Sequence, residues 1–198
     1  MNFMKIPINN ILLLNKYIKV YYSFTGVVMK QIFFAVIIAT FFISCTTKDS
    51  SLLTVNSVDI QKYLGQWYEI ARYEHFFEKG CKNVRANYSL IEENKIKVIN
   101  SCQKIDTNKT KEATGIAYAT DNTNSKLKVS FFRPFYGDYW ILMLDEEYKY
   151  ALVGAPSREY LWILSRTKKL DKKTIDNILL KIKELNFDEK KLIWTIQE

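Results

Sequence analysis

The sequence predicts an all-β chain: eight short strands in an up-and-down antiparallel barrel, one C-terminal α-helix packed outside, and a short final strand. Three observations carry that expectation. From Trp67 onward apolar and polar residues alternate in short runs, separated by linkers of a few turn-forming residues. The one stretch of helical periodicity comes late, and nothing alternates strand with helix, which disfavours a parallel α/β fold. Aromatic residues reach 15%, dominated by 13 Tyr and 12 Phe, types that suit pleated, half-buried surfaces. Short strands with short connections fit a barrel or a sandwich, and closure has the advantage of removing exposed edges.

Taken in order, residues 67–73 read as the first strand. Val84, Ala86, Tyr88 and Leu90 alternate before Glu92-Glu93-Asn94, and Ile96 and Val98 after it, which makes a hairpin. Residues 114–119, 126–132, 139–144, 150–154 and 160–165 supply the other five strands. The linkers between them are 106–111, 121–125, 134–138, 145–147 and 156–158. Then the period changes: Ile175, Ile178, Leu179, Ile182 and Leu185 fall at helical spacing, opposite Lys172, Lys173, Asp176, Lys181, Lys183 and Glu184. Asp171 or Thr174 caps this helix. Residues 192–196 close the chain as the last strand.

The N-terminus reads as an export signal rather than part of the fold. Met29-Lys30 is followed by an apolar run from Ile32 to Ile43, then Ser44-Cys45. That run is shorter than the ~20 residues that span a bilayer. Ile43-Ser44-Cys45, with Phe42 where Leu is commoner, resembles a bacterial lipobox, whose cysteine is acylated after cleavage just before it. Domain boundaries follow: 1–28 an upstream over-extension of the reading frame, 29–44 the signal peptide, 45–56 the lipidated cysteine and a flexible tether, and 57–198 the barrel domain. The alternative for 1–28 is a genuine hydrophobic segment, Ile11 to Val28, broken by Asn15, Lys16 and Lys19. Residues 1–44 carry four lysines and no acid, so the net charge of +8 falls to +4 for the remainder. Dispersed lysines without a dense basic cluster argue against nucleic-acid binding. Cys81 and Cys102 remain after Cys45. They flank the hairpin, and an even remainder in an exported chain points to one disulfide, two free thiols being the alternative.

Gly65-Gln66-Trp67 resembles the G-x-W signature of the lipocalins, which places a glycine and a tryptophan at the first barrel strand. Leu144-Asp145-Glu146-Glu147-Tyr148 is loosely similar to the family's second motif, and Leu161-Trp162-Ile163-Leu164-Ser165-Arg166 to its third, an arginine ending the last strand. Phe131 to Trp140 looks like the corresponding segment of bacterial lipocalins and apolipoprotein D relatives. The similarity runs from Tyr63 to Ile196. It implies a cup that holds one small apolar molecule, with Arg166 lying over Trp67 as a structural plug; Gly65, Trp67 and Arg166 are thus structural and not catalytic. It also implies a lipid-anchored outer-membrane protein facing the periplasm, with Thr46 after the acylated Cys45, a monomer or weak dimer, holding a fatty acid or lysophospholipid.

Period-2 alternation nominates the pocket walls: Val84, Ala86, Tyr88, Tyr118, Val129, Phe131 and Tyr139 or Trp140. His75, Arg133 and Tyr136 are candidates for the mouth, where Arg133 or Tyr136 would meet a polar head group. No G-x-S-x-G elbow, P-loop or dinucleotide fingerprint is present, and one histidine is poor metal equipment, so neither a cofactor nor a metal is expected. Two other readings stay open: a structural lipoprotein with a filled barrel, and an enzyme using a free Cys81 as nucleophile.

Overall fold

The structure, a computed structural model, describes residues 52–198. The segments 1–28 and 29–44, and Cys45 with its expected acylation, lie outside the described residues. Eight strands form the barrel: β1 (Gly65–Arg72), β2 (Cys81–Glu92), β3 (Lys95–Lys104), β4 (Thr110–Ala119), β5 (Lys126–Phe132), β6 (Phe135–Leu144), β7 (Tyr150–Gly154) and β8 (Leu161–Ser165). Each pairs antiparallel with the next, and β1 pairs with both β8 and β2, so the sheet closes. Turns at 93–94, 120–125 and 145–149 share one end with Gly65, while the loops 73–80, 105–109, 133–134 and 155–160 share the other.

The walls are apolar on one or two faces according to what covers them. Inside, Trp67, Tyr88, Val98, Leu127, Ile141 and Val153 meet in one core. Outside β1 and β6–β8, Ile70, Leu142, Leu152, Leu161 and Ile163 pack against Ile178, Ile182 and Leu185. These three come from the helix α2 (Lys172–Glu184) and its cap. Strands β7 and β8 are therefore buried on both faces, which is why they read as continuous apolar runs rather than alternating ones. Asp171 is the N-cap, accepting from the Thr174 amide at 2.9 Å. A shorter helix, α1 (Ile60–Tyr63), precedes β1 and has no counterpart in the sequence reading.

Three expectations need correcting. Residues 52–56, assigned to a tether, pack on the barrel: Leu52 is buried and the Val55 amide donates to the Ile141 carbonyl. The linker expected at 134–138 is mostly strand, the turn being confined to Arg133 and Pro134. Gly137 and Asp138 look like turn residues, but Gly137 sits opposite Val129 and Asp138 pairs with Lys128 at 2.8 Å across the strands. The final strand, β9 (Ile193–Trp194), is shorter than expected and pairs with Ala71 and Arg72 of β1.

That last element performs a particular task. Strand β2 pairs with β1 only through residues 85–88 and leaves β1 uncovered beyond Tyr68. The C-terminal segment fills this seam. Thr195 donates its amide to the Ile70 carbonyl, Asn83 donates to the Ile196 carbonyl, and the Gln197 amide group bonds the carbonyls of both Glu69 and Val84 at 2.8 Å. One side chain thus joins the two strands where their own ladder has parted.

Cys81 and Cys102 are bonded, with Cα atoms 5.6 Å apart, and tie the start of β2 to the end of β3. Replacing both by serine is expected to lower stability by about 2 kcal/mol, less than a free loop of this length implies because the hairpin already holds the ends together. Urea unfolding of the oxidised protein and the double variant measures the difference.

Candidate functional site

The end bearing Gly65 is plugged. The Arg166 guanidinium lies 3.8 Å from the centroid of the Trp67 ring and donates to the carbonyls of Lys62, Tyr63, Leu64, Gln66 and Tyr148. Trp67 in turn donates its indole N–H to the Tyr63 carbonyl at 2.8 Å. Gly65 has φ +88°, a left-handed backbone that favours glycine. Above the plug lies a floor of hydroxyls. Tyr139 bonds Tyr63 at 2.8 Å and Tyr88 at 2.9 Å, all three buried, and burial raises each phenol above its ordinary value, Tyr88 to about 12.

From that floor a cavity of about 530 Å³ rises to the loop end, inside the range of ~300–1,000 Å³ usual for small-molecule sites. Val84, Ala86, Tyr88, Val129, Phe131 and Tyr139 line it, as does Tyr136 near the mouth. Trp140 and Tyr118 do not. Tyr139 faces inward, so its neighbour Trp140 faces out, where the Lys126 ammonium lies 4.7 Å from its ring centroid. On β4 the inward residues are Gly115 and Ala117, which leaves Tyr118 on the outer face. Arg133 is exposed at the β5–β6 turn and contributes nothing to the cavity wall. Around it Phe132 and Phe135 stand 75% and 71% exposed with parallel rings 6.3 Å apart, an apolar rim to the opening.

His75 is not at the rim. It is buried between Phe77 and Tyr160, with ring centroids 5.1 and 4.8 Å away and Trp162 at 5.0 Å. Burial, with Arg72 adding repulsion, lowers its pKa to about 4, so the imidazole is neutral at ordinary pH. It backs the wall, while Phe77, Tyr160 and Trp162 face the cavity.

The sequence reading missed a buried charged group. Glu69, Arg72 and Glu78 are 2%, 4% and 8% exposed. Arg72 contacts Glu69 at 3.5 Å and Glu78 at 3.2 Å, and donates to the Glu78 carbonyl at 2.9 Å. Thr195 donates its hydroxyl to Glu69, and the Trp162 indole donates to Glu78. Both carboxyls line the cavity. Burial first, and repulsion from Glu78 second, raise Glu69 to about 8, and burial raises Glu78 too. The signal was available: Glu69 follows Trp67 by two residues on a strand and so shares its inward face.

These shifts have opposite consequences for stability. Glu69, raised from 4.5, makes the fold take up a proton, and its contribution is lost as pH climbs toward 8. His75, lowered from 6.5, contributes fully above that value and loses its contribution toward pH 4. Between about pH 4.5 and 6.5 the two offset each other; from 6.5 to 8 only the carboxyl effect remains. With Glu78 also raised, unfolding free energy is expected to fall more steeply in the second window than in the first, and Glu69→Gln to reduce that second slope. Urea titrations at half-unit pH intervals check it.

Cys81 lies outside the cavity wall and its sulfur is bonded to Cys102, which leaves it no thiol to act as a nucleophile. Among the described residues no three His, Cys, Asp or Glu side chains gather as a metal site. Residues 58–197 match the family model for the lipocalin-like domain. The chain belongs to the lipocalin family. The outer membrane lipoprotein Blc of Escherichia coli (strain K12) is 43% identical to this lipocalin over 155 residues, 78% of this chain and 88% of that protein. Apolipoprotein D of Macaca fascicularis is 36% identical over 149 residues, covering 71% and 77%. The crystal structure of insecticyanin from the tobacco hornworm Manduca sexta superposes with a TM-score of 0.60 at 24% identity, over 73% of this lipocalin and 84% of that chain, a likeness of fold.

Proposed function

We propose that this lipocalin binds a single-chain lipid, a fatty acid or lysophospholipid, in its cavity and holds it at the outer membrane, to which acylated Cys45 anchors it on the periplasmic side. One observation carries the reading: a deep cavity closed below by Trp67 and Arg166, walled by Val84, Ala86, Val98, Leu127 and Val129, and open above through exposed phenylalanines. Such a site gains affinity from area, about 0.8 kcal/mol per methylene taken out of water, so a tail is worth more here than any single polar contact. The apolar rim suits passage of a tail from a membrane into the protein. The cavity's volume speaks against a filled, purely structural barrel. The outer-membrane relatives support the location.

Titration of the purified, delipidated protein with a fluorescent fatty acid, followed by competition with unlabelled lysophospholipid, tests the binding. Saturable one-site binding with competition is expected; no binding at high micromolar concentrations overturns it. Mass spectrometry of the membrane-extracted protein tests the anchor, which predicts an acylated N-terminal Cys45.

A further inference from the structure

A hydrocarbon tail accounts for most of the cavity, but not for one side of its wall. There the carboxyls of Glu69 and Glu78 stand beside the cavity-facing rings of Phe77, Tyr160 and Trp162. A tail gains nothing from two carboxyls, and burying them is costly unless something offsets it. Arg72 balances one of the two charges. Glu78 Oε2, on a side chain nine-tenths buried, lies 3.2 Å from Arg72 Nε in an ion-pair contact that is not aligned as a hydrogen bond. Of the other charged residues at the cavity wall, Asp138 is paired with Lys128 and Arg85 donates to Ser101, while Glu159 before β8 adds a further carboxylate. A carboxylate or phosphate placed against this wall would meet the Glu78 carboxylate, a charge of its own sign.

Resting on the lipid-site reading above, we propose that this wall is the head-group subsite and takes the ammonium group of a single-chain amphiphile. The carboxyl pair supplies the countercharge, and the aromatic rings supply the faces that attract a weakly hydrated cation. The position suits such a ligand. Glu69 lies one inward step above Trp67 and Glu78 in the loop that follows β1, so a tail reaches down to Tyr88 and Tyr139 while the head stays near the opening.

Binding has a proton balance. In the empty cavity Glu69 is a neutral acid hydrogen-bonded to Glu78. The groups that face it are Arg72 on its own strand, Glu78 from the following loop, with neutral His75 behind that loop, and the Thr195 hydroxyl from the C-terminal segment. An arriving ammonium adds a second positive charge beside Arg72 and favours the carboxylate, so Glu69 gives its proton to the solvent and no bond to the ligand forms or breaks.

Three chain-matched probes test the subsite: decyltrimethylammonium, decanoate and decanol, each displacing a fluorescent lipid from the delipidated protein at pH 7. The ammonium probe is expected to bind at least about tenfold tighter than decanoate, with decanol between them. Glu78→Gln should shrink that preference to within about threefold. Because this change removes a partner of Arg72, a second measurement uses the unaltered protein: calorimetry of the ammonium probe in phosphate and in Tris, where a released proton makes the two heats differ. Equal or tighter binding of decanoate, a preference that survives Glu78→Gln, or equal heats in the two buffers overturns the subsite. If decanol binds without any head-group preference, the subsite alone falls. If no probe binds, the lipid-site reading falls with it.

Discussion

Arg166→Ala is expected to unfold about 3–4 kcal/mol more easily than the unaltered chain. The loss has two parts. Five carbonyls from the α1–β1 segment and the β6–β7 turn lose their common donor. The Trp67 ring loses the guanidinium that covers it. The carbonyls of Lys62, Tyr63 and Leu64 converge on one nitrogen, so these bonds are not additive, and the half-buried position lets water replace some of them. Arg166→Lys should recover less than half of the loss, since an ammonium can sit above the indole but has three donors and no planar fork. Urea denaturation followed by tryptophan fluorescence measures both. Equal stabilities for the Ala and unaltered proteins would show that α1 alone closes the barrel.

Ala117→Trp is expected to weaken lipid binding by about fiftyfold while the melting temperature stays nearly unchanged. Ala117 faces the cavity from β4, opposite Val129. An indole there enters space a tail would use, and excluding about three methylenes costs ~2.4 kcal/mol of transfer free energy. The native core is spared the usual penalty of overpacking because the added ring fills a cavity rather than displacing neighbours. Tyr118→Trp, one residue along on the outer face, is the control and should leave affinity as it was. Fluorescent-lipid titration of both variants beside thermal melts separates a blocked cavity from a damaged fold.

The features legible in the sequence are those that short-range pattern encodes. Alternation on β2 and β5 marks Val84, Ala86, Tyr88 and Val129 as cavity residues, and helical spacing marks Ile178 and Ile182 as the face under which the barrel wall lies. The plug is legible through resemblance to the family, since residues about a hundred positions apart carry no local sign of contact. Other features depend on tertiary context. Gly137 and Asp138 have turn chemistry, and only the cross-strand partners Val129 and Lys128 turn them into strand. His75 follows the first strand and reads as a polar loop residue, yet rings from β8 and the loop before it fold over it. The acidic wall is split between β1 and a loop, and a glutamate amid apolar residues reads as solvated until closure of the sheet turns it inward.

The seal made by Thr195, Ile196 and Gln197 across the gap between β1 and β2 has a consequence for the order of events in the cell. These residues follow every other residue of the barrel along the chain, yet they join its first two strands. A chain emerging from the ribosome carries this seam open beyond Tyr68 until its tail arrives. The same arrangement makes closure of the wall a late step, since no earlier residue supplies the bonds that Gln197 makes to Glu69 and Val84.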